Sequence, residues 1–112
     1  MRAEELKGHL DAMLLAALEG GPQHGYAVIE ALRQSTGGRL DLPTGTIYPA
    51  LRRLEQAGLI AGSWSVVGGR RRREYRLTAA GTRALSGRRA AWQDFSAMVT
   101  AALEARPCPS PA

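Results

Sequence analysis

The sequence predicts one mainly α-helical domain that carries a small β-hairpin and ends in a long helix. Three segments between Leu6 and Ala57 repeat apolar residues at the three-and-four spacing of a helix with one buried face. The stretch from Leu59 to Thr78 is instead rich in β-branched and aromatic residues on either side of a glycine pair. From Thr78 to Glu104 the chain has no proline and is rich in alanine and arginine, which is typical of a long helix.

The three short helices are separated by residues that stop helices. The first helix begins at Leu6 and ends before residues 20–22, which are Gly-Gly-Pro. The second begins near His24 and ends at the glycine pair 37–38. The third extends over residues 44–57, so the order is that of a helix-turn-helix.

The start of the third helix is left open by its proline. Pro49 would lie beyond the first turn, where proline removes a backbone hydrogen bond and crowds the preceding carbonyl. Either Thr46 caps a helix that starts late, or the helix begins near Thr44 and accommodates one lost bond. Gly58 suits the position just past the end of this helix.

Two strands, residues 59–67 and 74–78, follow the helices and are connected around Gly68 and Gly69. The arginines 70–73 fall between these strands, so the hairpin is predicted to have an arginine-loaded tip. Thr78 is a good N-cap for the last helix, which extends to about Glu104. Residues 105–112, with their repeated prolines, are predicted to be a disordered tail.

Charge and length limit the possible functions. The chain has 112 residues, enough for one domain with one modest core. Its formal net charge is +5, and cations are concentrated in residues 70–76. This concentration predicts an anionic partner, with nucleic acid ahead of an acidic protein or a membrane surface. A solvated charged loop is the alternative interpretation.

Several classes of protein are not predicted. Cys108 is the only cysteine, so no disulfide framework or cysteine metal site is expected, and neither a metal ion nor a cofactor is predicted. Glu4, Glu5 and the interrupted apolar stretch that follows do not fit a signal peptide or a membrane span, which predicts a soluble cytoplasmic protein. His9 and His24 form no recognisable set with a nucleophile, so an enzyme is not predicted.

The element order, three helices, a hairpin and a long helix, is that of a winged helix with a C-terminal extension. Five motifs make a family resemblance specific: HGY at 24–26, LPTGTIYPAL at 42–51, RLE at 53–55, GLI at 58–60, and YRLT at 75–78 followed by Gly81. On these motifs, and over roughly residues 6–103, the chain resembles the PadR family of transcriptional regulators with a single C-terminal helix. In the wing, Glu74 stands where the family usually has an aromatic residue, and one arginine is extra.

The resemblance and the residue pattern both assign DNA binding to the third helix and the wing. A major groove accepts one α-helix, whose exposed side chains reach base edges. The wing arginines would follow the phosphate backbone or enter a minor groove. The alternatives are that Tyr48 packs under the wing and that Thr44 only caps the helix. The predicted DNA-binding residues are Thr44, Gly45, Thr46, Tyr48, Arg52, Arg53, Arg70, Arg71, Arg72 and Arg73.

The last helix carries apolar residues at a spacing of seven, which is the pattern of a helix seam that Arg88 interrupts. This seam predicts a homodimer on a palindromic operator, with residues 1–78 as the DNA-binding domain and residues 79–104 as the dimerisation helix. The first helix would supply the other wall of the interface. The predicted interface residues are Leu6, Leu10, Met13, Leu14, Leu85, Trp92, Phe95, Val99 and Ala102.

The resemblance also implies a regulatory site. Relatives with one C-terminal helix include drug sensors whose dimer interface leaves an apolar cavity flanked by tryptophans. This implies an effector site at Trp92 and Phe95 for a planar aromatic or phenolic molecule. Packing within the interface is the alternative role of Trp92.

The sequence therefore predicts a DNA-binding repressor that an effector releases. A winged helix used only for protein–protein interaction is the alternative, and Arg52 and the arginine run argue against it. RNA binding also stays open, although the strands lack the paired aromatics that stack unpaired bases.

Overall fold

The structure, a computed structural model, describes the backbone of residues 3–106 and the side chains of residues 9–106. The predicted tail therefore falls almost entirely outside the described residues, and the side chain of Leu6 falls outside them too. The elements in chain order are α1 (Ala3–Ala17), β1 (Gln23–His24), α2 (Gly25–Ser35), α3 (Thr44–Gln56), β2 (Ile60–Val67), β3 (Arg70–Leu77) and α4 (Ala79–Glu104). This order confirms the predicted winged helix-turn-helix with a long last helix.

The core lies where α1, α2 and α3 meet the base of the hairpin. Each helix contributes its apolar stripe, and Leu14, Ile47 and Leu51 are 0% exposed. Ile60 and Tyr75 close the core from the sheet, and Leu85 closes it from α4. A buried leucine of this kind contributes about 2 to 3 kcal/mol through removal of its surface from water.

This core corrects part of the predicted dimer interface. Leu10, Leu14 and Leu85 were expected at the seam between two chains, but all three are buried within one chain. They have no free surface for a partner. The reason is that α1 and the first turns of α4 pack on each other in the same molecule, so their three-and-four stripes point inward.

The helix α3 begins early and contains its proline. Pro43 is the N-cap and Thr44 is the first helical residue, so Thr44 is not a cap. The carbonyl of Pro43 accepts hydrogen bonds from the N–H groups of Thr46 at 3.0 Å and Ile47 at 3.1 Å. Of the two alternatives, the structure therefore has the early start, with Pro49 inside the helix.

The hairpin corrects the predicted wing tip. Gly68 and Gly69 form the whole turn, with φ angles of 57° and 78°. Two consecutive residues with positive φ are typical of a two-residue turn that matches the strand twist. Strand pairing consequently starts at once, with Val67 opposite Arg70, and the arginines 70–73 belong to β3 rather than to a loop.

One strand was not predicted. Gln23 and His24 form β1, which pairs antiparallel with Tyr75 and Glu74 of β3. The sheet order is therefore β1-β3-β2, with β3 at the centre. A strand of two residues is too short to show an alternation of apolar and polar residues, so the sequence pattern does not predict it. It fixes the start of α2 beside the wing.

The helix α4 is anchored at its first turn and then leaves the core. The hydroxyl of Thr78 accepts a hydrogen bond from the N–H of Gly81 at 3.0 Å and donates one to the carbonyl of Gly58 at 2.6 Å. Gly81 packs directly on the carbonyl of Leu59, where a β-carbon would overlap the oxygen. Beyond Leu85 the helix has no further buried residue among the described side chains.

Candidate nucleic-acid interface

The helix α3 presents opposite faces to the core and to solvent. Ile47, Ala50, Leu51 and Leu54 form its buried stripe. The exposed residues of its outward face are Thr44, Gly45, Tyr48, Arg52 and Gln56. Thr46 is half-buried. This separation leaves hydroxyl, aromatic and guanidinium groups available on one helix face, which is the requirement for reading base edges in a groove.

The two arginines of α3 have different surroundings. Arg53 forms an ion pair with Asp11 of α1, so its guanidinium is directed toward the body of the domain. Among the described side chains, Arg52 has no such carboxylate partner. Of the two predicted DNA-binding arginines on α3, Arg52 is therefore the one whose charge is available to an incoming anion.

A notch separates α3 and the N-terminal end of α2 from the wing. It has a volume of about 330 Å³ and is lined by His24, Gly25, Tyr26, Tyr48, Arg71, Arg72 and Arg73. The Tyr48 ring lies against Gly25, because a β-carbon placed there would be 2.5 Å from its Cε1 atom. Tyr26 is exposed and was missed as a site residue, although it belongs to the HGY motif quoted for the resemblance.

The notch is basic, because three arginines of β3 line it. The buried Tyr75, at the base of the wing, has its pKa raised above the ordinary 10.0, first by burial and then by the carboxylate of Glu55. Tyr75 is therefore uncharged in the folded protein. Of these three arginines, Arg73 forms an ion pair with Glu55 in the part of the chain that the structure describes.

Glu55 joins α3 to the wing. One of its carboxylate oxygens accepts hydrogen bonds from the Arg73 guanidinium and, at 3.2 Å, from the backbone N–H of Gly62. The helix and the hairpin are thus held at one relative position. Gly62 allows this contact, because a β-carbon there would lie 2.7 Å from the Glu55 oxygen.

The outer part of the wing carries one exposed aromatic ring. Trp64 of β2 lies opposite Arg73, and Val66 lies opposite Arg71. The guanidinium carbons of Arg71 and Arg73 lie 4.7 Å and 5.4 Å from the Trp64 ring centre, within cation–π distance. Trp64 was expected only as a strand residue, so its contact with the arginines was missed.

A second, apolar groove lies between α1 and α4, away from the notch. It has a volume of about 650 Å³, and its walls include His9, Met13, Arg88, Trp92 and Phe95. The His9 ring meets Trp92 edge to face at 5.1 Å, and Trp92 lies 6.2 Å from Phe95. The structure therefore brings together the two residues that were predicted to bind an effector.

An ion pair with two hydrogen bonds joins α4 to the end of α1 beside this groove. Two nitrogens of Arg89 on α4 donate hydrogen bonds of 2.7 Å and 2.8 Å to the carboxylate of Glu19, just past α1. This bond lowers the pKa of Glu19 and raises that of Arg89. Because Arg89 is neutralised in this way, Arg88 is the lining cation whose charge is not balanced by a carboxylate of the described residues.

The fold, the outward face of α3 and the basic wing together define a winged-helix transcriptional regulator. A family model described as "Transcriptional regulator PadR-like family" matches residues 14–87. The chain belongs to this family, which confirms the resemblance that the sequence motifs indicated. In the part of the chain that the structure describes, no helix is long and apolar enough to cross a membrane.

Individual relatives agree with this assignment. A PadR family transcriptional regulator from Eggerthella lenta is similar over 92% of this chain and 88% of its own, with 33% identity and a TM-score of 0.79. A PadR-like transcriptional regulator from Bacillus cereus covers 93% of this chain and all of its own, with 26% identity and a TM-score of 0.81. The transcriptional regulator Rv3488 of Mycobacterium tuberculosis is 48% identical over 52 residues, 46% of this chain and 49% of that protein.

Proposed function

We propose that this chain is a homodimeric repressor that binds a palindromic duplex with α3 and the wing and acts in the cytoplasm. One observation carries the proposal: Tyr48, on the outward face of α3, lines the same notch as the wing arginines Arg71, Arg72 and Arg73. Phosphates along duplex DNA supply the closely spaced negative charge that such a surface would neutralise. Arg52, Tyr48 and Thr44 would contact base edges in the major groove.

The test uses a duplex selected from a random-sequence library by the wild-type protein. Replacing Arg71 and Arg72 together with alanine should weaken binding to all duplexes and reduce the salt slope by about 2, because two cations that neutralise DNA charge are lost. Tyr48→Ala should weaken the selected duplex more than a random one. Equal losses on both would contradict readout by α3, and failure of the wild type to select any duplex would favour a protein–protein interaction module.

The surface proposed for dimerisation is the outer half of α4. Trp92 and Phe95 are 52% and 53% exposed in the single chain, and Met98 is more exposed still. Val99 is half-buried and Ala102 is exposed on the same helix. A contiguous apolar surface of this kind is characteristic of an interface. We propose that residues 79–104 pair two copies whose DNA-binding units are residues 1–78.

Sedimentation of the intact chain tests the dimer. We expect a dimer at micromolar concentration, and Phe95→Glu should shift it toward monomer because a charge would be buried between apolar surfaces. Ala90→Glu is the matched control, since Ala90 lies on the opposite side of α4 and should leave the dimer intact. A wild-type monomer, or equal effects of both variants, would contradict this interface.

The groove between α1 and α4 is the proposed effector site. Trp92 and Phe95 offer flat faces for a planar aromatic molecule. Its described lining residues include the unbalanced cation Arg88 but no carboxylate, which favours a phenolic acid over an aromatic cation. A phenolic acid should quench Trp92 fluorescence and release the selected duplex, whereas Trp92→Phe should abolish that quenching.

Linkage gives this effector a stricter test. A ligand shifts an equilibrium only through its different affinities for the two states, so an inducer must bind the DNA-bound protein less well. The selected duplex should then weaken effector binding by the same factor by which the effector weakens DNA binding. A panel of phenolic acids and planar cations that changes neither fluorescence nor DNA affinity would contradict the effector site.

A further inference from the structure

The four consecutive arginines of β3 are not equivalent. Side chains alternate along a strand, so Arg70 and Arg72 project from one face of the hairpin and Arg71 and Arg73 from the other. Arg73 is held by the carboxylate of Glu55. Among the described side chains, Arg71 has no carboxylate partner and is held only against the Trp64 ring.

Trp64 has no part in the hydrophobic core. It is 58% exposed and lies in the outer half of β2, beyond the residues that close the core. An exposed indole ring with a guanidinium over its face restricts the rotamers of that guanidinium without neutralising its charge. The ring therefore keeps Arg71 in a restricted set of rotamers before an anionic partner binds.

The length of the wing indicates where Arg71 would meet DNA. Each strand has eight residues. At about 3.3 Å per residue the hairpin is about 26 Å long, whereas a major groove is about 12 Å wide. With α3 in the major groove, a wing of this length would be long enough to cross the phosphate backbone and enter the adjacent minor groove. Arginine is the side chain that narrow, A·T-rich minor grooves attract most.

We propose that Trp64 is a positioning residue that holds Arg71 for insertion into the minor groove beside each half-site, and that Arg73 holds the wing to α3 without touching DNA. This inference rests on the proposed function, because it assigns roles within the DNA-binding surface. The two arginines would then have different roles. Arg71 would read the shape of the minor groove, and Arg70 would contribute only its positive charge.

The experiment varies only the base pairs that flank the selected half-sites. Three duplexes carry A·T, inosine·C or G·C pairs there; inosine lacks the guanine amino group, so its minor groove resembles A·T while its major groove resembles G·C. We expect the wild-type protein to bind the A·T and inosine·C duplexes about fivefold more tightly than the G·C duplex, a typical cost of one unfavourable pair.

The variants separate positioning from folding and from charge. Arg71→Ala and Trp64→Leu should both abolish the flank preference, and the double variant should lose no more of it than Arg71→Ala alone. Trp64→Tyr keeps an aromatic face and should retain the preference. Arg70→Ala is the matched control: it removes one charge from the other face and should weaken all three duplexes equally.

Each result either supports or contradicts the positioning role of Trp64. A purely structural role of Trp64 would weaken the three duplexes by one common factor, so a preserved flank preference in Trp64→Leu would overturn the proposal. Equal binding of the inosine·C and G·C duplexes would place the contact in the major groove and would also overturn it. If binding still depends on Tyr48 in either case, the proposed function stands. If the wild-type protein selects no duplex at all, both the proposed function and the role of Trp64 are contradicted.

Discussion

Replacing Gly25 with alanine should impair DNA binding while leaving the fold intact. The added β-carbon would lie 2.5 Å from Cε1, 2.9 Å from Cζ and 3.0 Å from the hydroxyl oxygen of Tyr48. Carbon atoms in contact prefer about 3.5 Å, so the ring must recede by about 1 Å. Tyr48 is 42% exposed, which gives the ring free space to move into.

The two effects of this change differ in size. A hydroxyl displaced by about 1 Å leaves the 2.7–3.0 Å range of a good hydrogen bond, and a base-edge group left unsatisfied in the interface costs about 1 to 3 kcal/mol. Affinity for the selected duplex should therefore fall by about 5- to 150-fold. The free energy of unfolding should change by less than about 1 kcal/mol, because alanine is favoured over glycine in a helix and offsets the local crowding.

Fluorescence anisotropy with the selected duplex and urea denaturation measure these two quantities. Gly87→Ala in α4 is the matched control, since a β-carbon there meets nothing within 4 Å and should leave DNA affinity unchanged. If Gly25 acts only through the tyrosine, Gly25→Ala combined with Tyr48→Ala should bind no worse than Tyr48→Ala alone. A loss of stability above about 2 kcal/mol, or unchanged affinity, would refute this reasoning.

Three further predictions concern the base of the wing. Gly81→Ala should cost about 3 kcal/mol of unfolding free energy, measured in urea, because the new β-carbon overlaps the Leu59 carbonyl and backbone cannot move aside easily; an unchanged midpoint would contradict it. Glu55→Gln should cost about 1 kcal/mol, since the pair it forms with Arg73 is partly exposed, and a double-mutant cycle with Arg73→Ala should show that coupling. Because burial raises the pKa of Tyr75, its contribution to stability is full below pH 10 and is lost as pH rises through the folded-state pKa. Tyr75→Phe should remove this decline in stability above pH 10, and an identical decline in the variant would assign it to another group.

Local sequence patterns were sufficient to predict the helices and the family, because each depends on residues that are close together in the sequence. The stripe of Ile47, Leu51 and Leu54 predicted both the helix and its buried face, and Gly81 after YRLT indicated the start of α4. The motifs identified the family because several occur at fixed separations. These features need no knowledge of which segments meet in space.

The errors concern residues whose role depends on distant partners. Leu14 has the pattern of an interface residue, but its burial comes from elements far along the chain. Arg53 and Arg73 look like free cations in the sequence, and Asp11 and Glu55 neutralise them only in the folded molecule. The misplaced wing tip is different, because a glycine pair between strand residues is itself a signal for a two-residue turn.

The turn at Gly68 and Gly69 also restricts how this wing can change in evolution. Facing residues of β2 and β3 share one side of the ribbon, so a single insertion into the outer part of β3 would transfer the arginines beyond it to the other side and separate Arg71 from Trp64. One residue added to each strand immediately beside the turn would instead lengthen the ribbon and leave the existing side chains on their own sides. Related wings should therefore differ in length by even numbers of residues, except where a bulge absorbs an odd one.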